Sequence, residues 1–156
     1  MGDTVEGVYR RYFPLIREKC RSTLADSEEA QDVAQDTFIR LWKSGLPLAD
    51  ARKVSAWVYR TATHLAVDRL RRRKGPEQRI EADAPVAGGE ARVEVREQLE
   101  RLARQIPADE LELAFLTRLD GLTQPECAEV LGVSERTVRR MLTKLDERVA
   151  ALKELR

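Results

Sequence analysis

Apolar side chains recur along this chain at three- and four-residue intervals, the period at which an α-helix returns to one face. Val5, Val8, Tyr9, Tyr12, Ile16 and Cys20 share one such stripe, with Pro14 a candidate kink. A second helix opens at Asp26, with Glu29 at capping-box spacing. It buries Ala30, Val33, Ala34, Thr37 and Leu41 and runs to about Lys43. Ser44-Gly45-Leu46-Pro47 breaks it, because glycine accepts left-handed angles and proline cannot donate to a continuing helix. A third helix extends from about Asp50 to Lys74. Its predicted buried stripe is Val54, Trp57, Val58, Thr61, Ala62 and Leu65, which leaves Arg60, Thr63, His64, Val67, Arg71 and Lys74 facing the other way.

Gly75-Pro76 ends that helix, and the stretch to Glu90 combines proline, glycine and acids with almost nothing to bury. It reads as a flexible acidic linker that spans about 50 Å when extended, so the two halves need not touch. Four more helices follow, at about Ala91–Gln105, Pro107–Leu119, Thr123–Leu131 and Ser134–Leu152. The expected fold is all-α, with a three-helix domain over residues 1–74 and a four-helix domain over 91–156, joined by the linker at 75–90.

Within GLTQPECAEVLGVSERTVRRMLTKL the spacing meets the geometric demands of a helix-turn-helix. Ala128 is small enough for the second helix to approach, Gly132 sits where the turn requires positive φ, and Cys127, Leu131, Val133, Val138 and Met141 supply a shared core. Thr123 with Glu126 forms a capping box, Pro125 is tolerated in the first turn, and Ser134 caps the following helix. With Val138 and Met141 inward, Glu135, Arg136, Arg139 and Arg140 face outward, and arginines so placed can fork onto guanine edges or phosphates. Thr137 could cap, contact phosphate, or do neither. The plainer alternative is a helical hairpin whose arginines are a solvated face.

Composition narrows the field. Of 156 residues only 5% are aromatic, while 35% are charged and 42% apolar, a balance that favours helices and excludes an all-β fold. No apolar run approaches the roughly 20 residues that cross a bilayer, and MGDTVEGVYRRY lacks the features of a secretory signal, so an intracellular chain is expected. Cys20 and Cys127 stand in no CxxC or Cys/His arrangement, and His64 is the single histidine, so no metal site, cofactor or catalytic constellation is predicted.

Net charge is +1, yet the charges are segregated. Asp26, Glu28, Glu29, Asp32 and Asp36 form an acidic block. Arg60, Arg69, Arg71, Arg72, Arg73 and Lys74 oppose only Asp68; acids predominate again from Glu77 to Glu100, before Arg136, Arg139, Arg140 and Lys144. On the third helix Arg60, Thr63 and His64 suit phosphate and base contacts, although a basic helix end is also favourable against the helix dipole. On the second, Phe38, Ile39 and Trp42 widen the apolar surface beside Asp32, Gln35 and Asp36. That helix could dock a partner, or Phe38 and Trp42 could fill the core.

AQDVAQDTFIRLW (Ala30 to Trp42), WVYRTATHLAVDRLRRRK (Trp57 to Lys74) and DGLTQPECAEVLGVSERTVRR (Asp120 to Arg140), in that order, resemble bacterial sigma factors of the extracytoplasmic-function group. The resemblance implies that Asp32, Gln35, Asp36, Phe38, Ile39 and Trp42 lie on or support the helix that docks on the clamp of the largest subunit of core RNA polymerase. The second domain would meet the polymerase flap. It implies that His64, Asp68, Arg69, Arg71 and Arg72 face the downstream promoter element where the strands open. The loop from Ser44 to Lys53 would capture a flipped base, at an unstacking cost of a few kcal/mol. Ser134, Arg136, Thr137, Arg139, Arg140 and Lys144 would read the upstream element. The acidic linker would thread the polymerase's RNA exit path, and two DNA-facing units on one chain would address both elements together.

The family often has asparagine where His64 stands, isoleucine at Cys127, and basic residues at Met141 and near Asp146, so the last helix is expected to grip phosphates less firmly. The chain ends on its last helix, so control is expected from a separate anti-sigma protein, in the bacterial cytoplasm. Two other readings compete. A dimeric helix-turn-helix regulator explains Asp120 to Lys144 but not the acidic helix followed by a basic one. A nucleic-acid enzyme with Asp32 and Asp36 holding a metal lacks a third ligand or general base.

Overall fold

A computed structural model describes residues 4–73 and 89–154. The first half is three helices packed on one another, α1 (Val5–Leu24), α2 (Ser27–Ser44) and α3 (Ala51–Arg72). Local chemistry sets their ends. Thr4 and Asp26 accept the amides of Gly7 and Glu29 as N-caps, Asp50 accepts those of Arg52 and Lys53, and Gly45 closes α2 in the left-handed region at φ 69°. α1 continues through Pro14. The predicted linker lies mostly outside the described residues, but α3 ends at Arg72 and α4 already begins at Gly89.

The second half comprises α4 (Gly89–Leu102), α5 (Ala108–Ala114), α6 (Gln124–Leu131) and α7 (Glu135–Glu154). α5 runs into a π-helical turn, Phe115–Leu119, closed by the Asp120 amide donating to the Phe115 carbonyl. This widened turn places Asp120 where the helix ends and the chain turns toward α6.

The halves touch. One core cluster runs from Val8, Cys20, Val33, Leu41, Val58 and Leu70 of the first to Leu99, Ile106, Leu111, Phe115 and Leu145 of the second, a smaller one gathers Leu113, Leu116, Cys127, Ala128 and Val138, and α3 packs against both α5 and α6. The linker's length permits separation, but apolar surface on both sides of α3 favours burial. Two expectations for α3 are therefore corrected. Thr63 and Val67, placed on an outward face by the periodicity, are each only 1% exposed, and Thr63 Oγ1 donates to the Tyr59 carbonyl. Trp57 and Leu65 are only partly buried but pack against the core as expected, while Thr61 is also only partly buried.

Candidate nucleic-acid and polymerase interfaces

The helix-turn-helix is built as its sequence demands. Thr123 and Glu126 exchange side-chain and backbone bonds in a complete capping box, Cys127 and Ala128 are buried, and Gly132 turns the chain at φ 68°. Ser134 Oγ accepts the Thr137 amide at 3.1 Å and lies 3.0 Å from Thr137 Oγ1, so both hydroxyls are engaged in starting α7. Val138 is buried, and Arg136, Arg139, Arg140 and Lys144 project to the exposed side. The first turns of α7 thus present a cationic face on a helix held by its apolar one, as insertion into a groove requires. Val133 departs from expectation, being exposed where a core residue was predicted. Asp146, where a basic residue was the family expectation, pairs with Arg118 at 2.8 Å and ties α7 to the π-helical turn.

On α2 the two aromatic residues part company. Phe38 is buried, edge-on to Tyr9 at a centroid distance of 5.3 Å and tilted against Phe13, so it supports the helix from beneath. Trp42 is 75% exposed and Ile39 48%, and with Val5, Tyr9 and Gln35 they line a shallow groove of about 480 Å³. Asp32 and Gln35 are exposed nearby, and Asp36 reaches Arg40 at 3.5 Å. Apolar anchors with a polar rim are the anatomy of a protein-docking surface.

The basic face of α3 is partly engaged by the second half, although Arg60, His64 and Arg72 stay exposed. His64 Nδ1 lies 3.0 Å from Glu112 Oε1, and Arg71 Nε donates to the Ala103 carbonyl. Arg60, His64, Arg40 and Trp57 line one wall of a cleft of about 650 Å³ whose opposite wall includes Asp109 and Glu112. Burial pushes the Glu112 carboxyl above its ordinary value, and His64 pulls it back. Arg69 is half-buried, while exposed Arg72 pairs with Asp68 at 3.2 Å; Lys74 lies outside the described residues. At the end of α2, Ser44 Oγ donates to the Leu41 carbonyl and accepts the Leu46 amide, and Arg52 in the first turn of α3 forks onto Glu129 of α6 at 2.9 and 3.0 Å.

The periodicity missed the residues that join the halves, since nothing local marks them. Lys19 Nζ donates to Asp120 Oδ2 at 2.8 Å, and Tyr59 OH donates to the same oxygen at 2.6 Å. The ammonium also lies 5.1 Å from the Tyr59 ring centroid. Burial, with the Asp120 charge beside it, drives the Tyr59 hydroxyl far above its ordinary range, so it stays a donor.

Cys20 and Cys127 are both fully buried free thiols, and burial pushes each up to about 11. Since the thiolate is the reactive form, iodoacetamide at pH 8 is expected to leave both unmodified in the folded chain and to label both in denaturant. Mass spectrometry distinguishes the outcomes, and rapid native labelling would contradict their burial. Among the described residues no group of three or more histidine, cysteine or carboxylate side chains could hold a metal ion, and no helix is long and apolar enough to cross a membrane.

Comparison with known proteins agrees with this geometry. The model of Sigma-70 region 2 matches residues 8–75, which carry α1 to α3, and that of Sigma-70 region 4 matches residues 96–145. The chain is 28% identical over 146 residues to the ECF RNA polymerase sigma factor SigM of Mycobacterium tuberculosis, covering 93% of this chain and 74% of that protein. It is 29% identical to SigW of Bacillus subtilis, covering 93% and 85%. The solved structure of CnrH in complex with the cytosolic domain of CnrY shares the fold at a TM-score of 0.53 and 20% identity, covering 97% of this chain and 88% of that one. With both regions matched in order, the chain belongs to the sigma-70 family, among its extracytoplasmic-function members.

Proposed function

We propose that this chain binds core bacterial RNA polymerase in the cytoplasm and directs it to promoters, with residues 1–74 acting as region 2, 75–90 as the linker and 91–156 as region 4. The carrying observation is the ordered pair of matches, the first on helices that expose a docking groove and the second on a helix-turn-helix that exposes four cations. The groove around Ile39 and Trp42, rimmed by Asp32, Gln35 and Asp36 and supported by Phe38, is the polymerase-clamp site, and region 4 meets the flap. Arg136, Arg139, Arg140 and Lys144 contact the upstream element, with Ser134 and Thr137 setting the helix start. Arg60, His64, Arg69, Arg71 and Arg72 face the downstream element, with Thr63 beneath them. Strand opening is driven by binding energy, so no cofactor or hydrolysis is needed.

A protein regulator of the anti-sigma kind is part of this reading, supported by the shared fold of CnrH, which is solved with a protein partner. The test is run-off transcription from a promoter-containing genomic library with core polymerase, with and without the protein. Specific transcripts that depend on the added chain are expected. A symmetric footprint made by the protein alone, without transcripts, would overturn the reading in favour of a dimeric regulator.

A further inference from the structure

Glu135 shares the outer face of α7 with Arg136, Arg139 and Arg140, and yet it is an acid. It is the first residue of that helix, and all four side chains are exposed. Glu135 stands four residues before Arg139, the spacing at which an acid and an arginine pair across one helical turn. Elsewhere on the surface the same spacing does produce pairs: Glu6 with Arg10, Asp36 with Arg40 and Asp68 with Arg72. Glu135 and Arg139 are left apart, and among the described residues neither side chain enters an ion pair. Nor is the carboxylate needed as a cap, because Ser134 Oγ already accepts the Thr137 amide at 3.1 Å.

We propose that Glu135 is a specificity-determining residue for the upstream element, its carboxylate accepting the N4 amine of a cytosine in the major groove while Arg139 forks onto a guanine close by. The proposal rests on the reading of α7 as the upstream-element helix. An acid on a surface that meets DNA repels phosphates, so it lowers affinity for every sequence unless a base compensates. The major groove offers an anion two kinds of donor, the amines of cytosine and adenine. The adenine amine is flanked by acceptors on both sides, its own N7 and the O4 of thymine. The cytosine amine is flanked on one side only, by the O6 of guanine, so a carboxylate meets less repulsion there. Four residues of helix rise about 6 Å, close to two base steps of about 3.4 Å. The cytosine read by Glu135 and the guanine read by Arg139 therefore lie within about two base pairs of each other.

The test uses the full chain in holoenzyme with core polymerase. A promoter recovered by the run-off experiment is varied one base pair at a time across its upstream element, and transcript yield is read for each template by sequencing. The wild type should prefer cytosine at one position by about tenfold. Glu135→Ala should erase that preference and keep the others within about twofold, since well-separated base pairs contribute roughly additively. Glu135→Gln should move the preference at the same pair from cytosine to adenine, because an amide pairs with adenine N6 and N7 together. Arg139→Ala should relax a guanine preference within about two base pairs of it. An acid in the first turn also favours the helix dipole, but that contribution is blind to DNA sequence. A loss spread evenly over all templates in Glu135→Ala would therefore overturn the proposal, and so would a profile identical to that of the wild type. If Arg139→Ala still relaxes its guanine, the reading of α7 survives that failure. Profiles unchanged in both variants overturn the reading of α7 as well.

Discussion

Trp42→Ala is expected to weaken binding to core polymerase by about 2–4 kcal/mol, roughly 30- to 1,000-fold, while leaving folding stability within about 0.5 kcal/mol of wild type. The contrast follows from where the indole stands. It is 75% exposed in the free chain, so its removal uncovers no core. Beside Ile39, Tyr9 and Gln35 it forms the apolar centre of the α2 groove, where a partner would desolvate it. Tryptophan at such a centre is the commonest kind of binding hot spot. Phe38→Ala is the wrong probe of this surface, because its ring is buried against Tyr9 and Phe13, and truncation there costs about 3–5 kcal/mol of fold stability. Anisotropy titration of labelled protein with core enzyme, alongside urea unfolding, measures both quantities. An affinity change below about threefold, with stability retained, would move the clamp site off α2.

Replacing Arg136, Arg139 and Arg140 together by alanine is expected to abolish the upstream footprint of the holoenzyme, with binding to core polymerase retained. A good bidentate arginine–base pair contributes about 1–3 kcal/mol of discrimination, and removing a cation that neutralises one phosphate flattens the salt dependence by about one unit of slope. The three side chains are exposed, and the residues that hold α7 in place, Val138 and Leu145, are untouched, so the helix should stand unchanged. DNase footprinting at two salt concentrations reads the result. Protection that survives the triple substitution would show that the cationic face of α7 does not read DNA.

The legible parts of this protein were those whose physics is local. Capping at Asp26, the box at Thr123 and Glu126, positive φ at Gly132 and the Ser134 cap each concern atoms within a few residues of one another, so their residue types state their geometry. The candidate site was legible to the same depth. Arg136, Arg139 and Arg140 fall on an outer face because Val138 must fall on the inner one. Periodicity also found the wide apolar surface of α2 but not its division, since Phe38 and Trp42 are both four-residue neighbours of apolar positions. Only packing against Tyr9 and Phe13 sends one inward and leaves the other out.

The amino-acid sequence by itself determined an all-helical chain, the helix-turn-helix and the segregation of its charges, because short-range hydrogen bonding and a 3.6-residue period suffice for these. What covers α3 was decided only by the tertiary structure. Thr63 and Val67 are buried on a helix that packs against α1 and α2 and also against α5 and α6. The buried ion pair between Lys19 and Asp120 joins positions 101 residues apart, which no local rule couples. A helical period reveals which side chains share a face. Whether that face meets water, nucleic acid or the rest of its own chain depends on long-range burial and charge pairing, which arise only once the halves have come together.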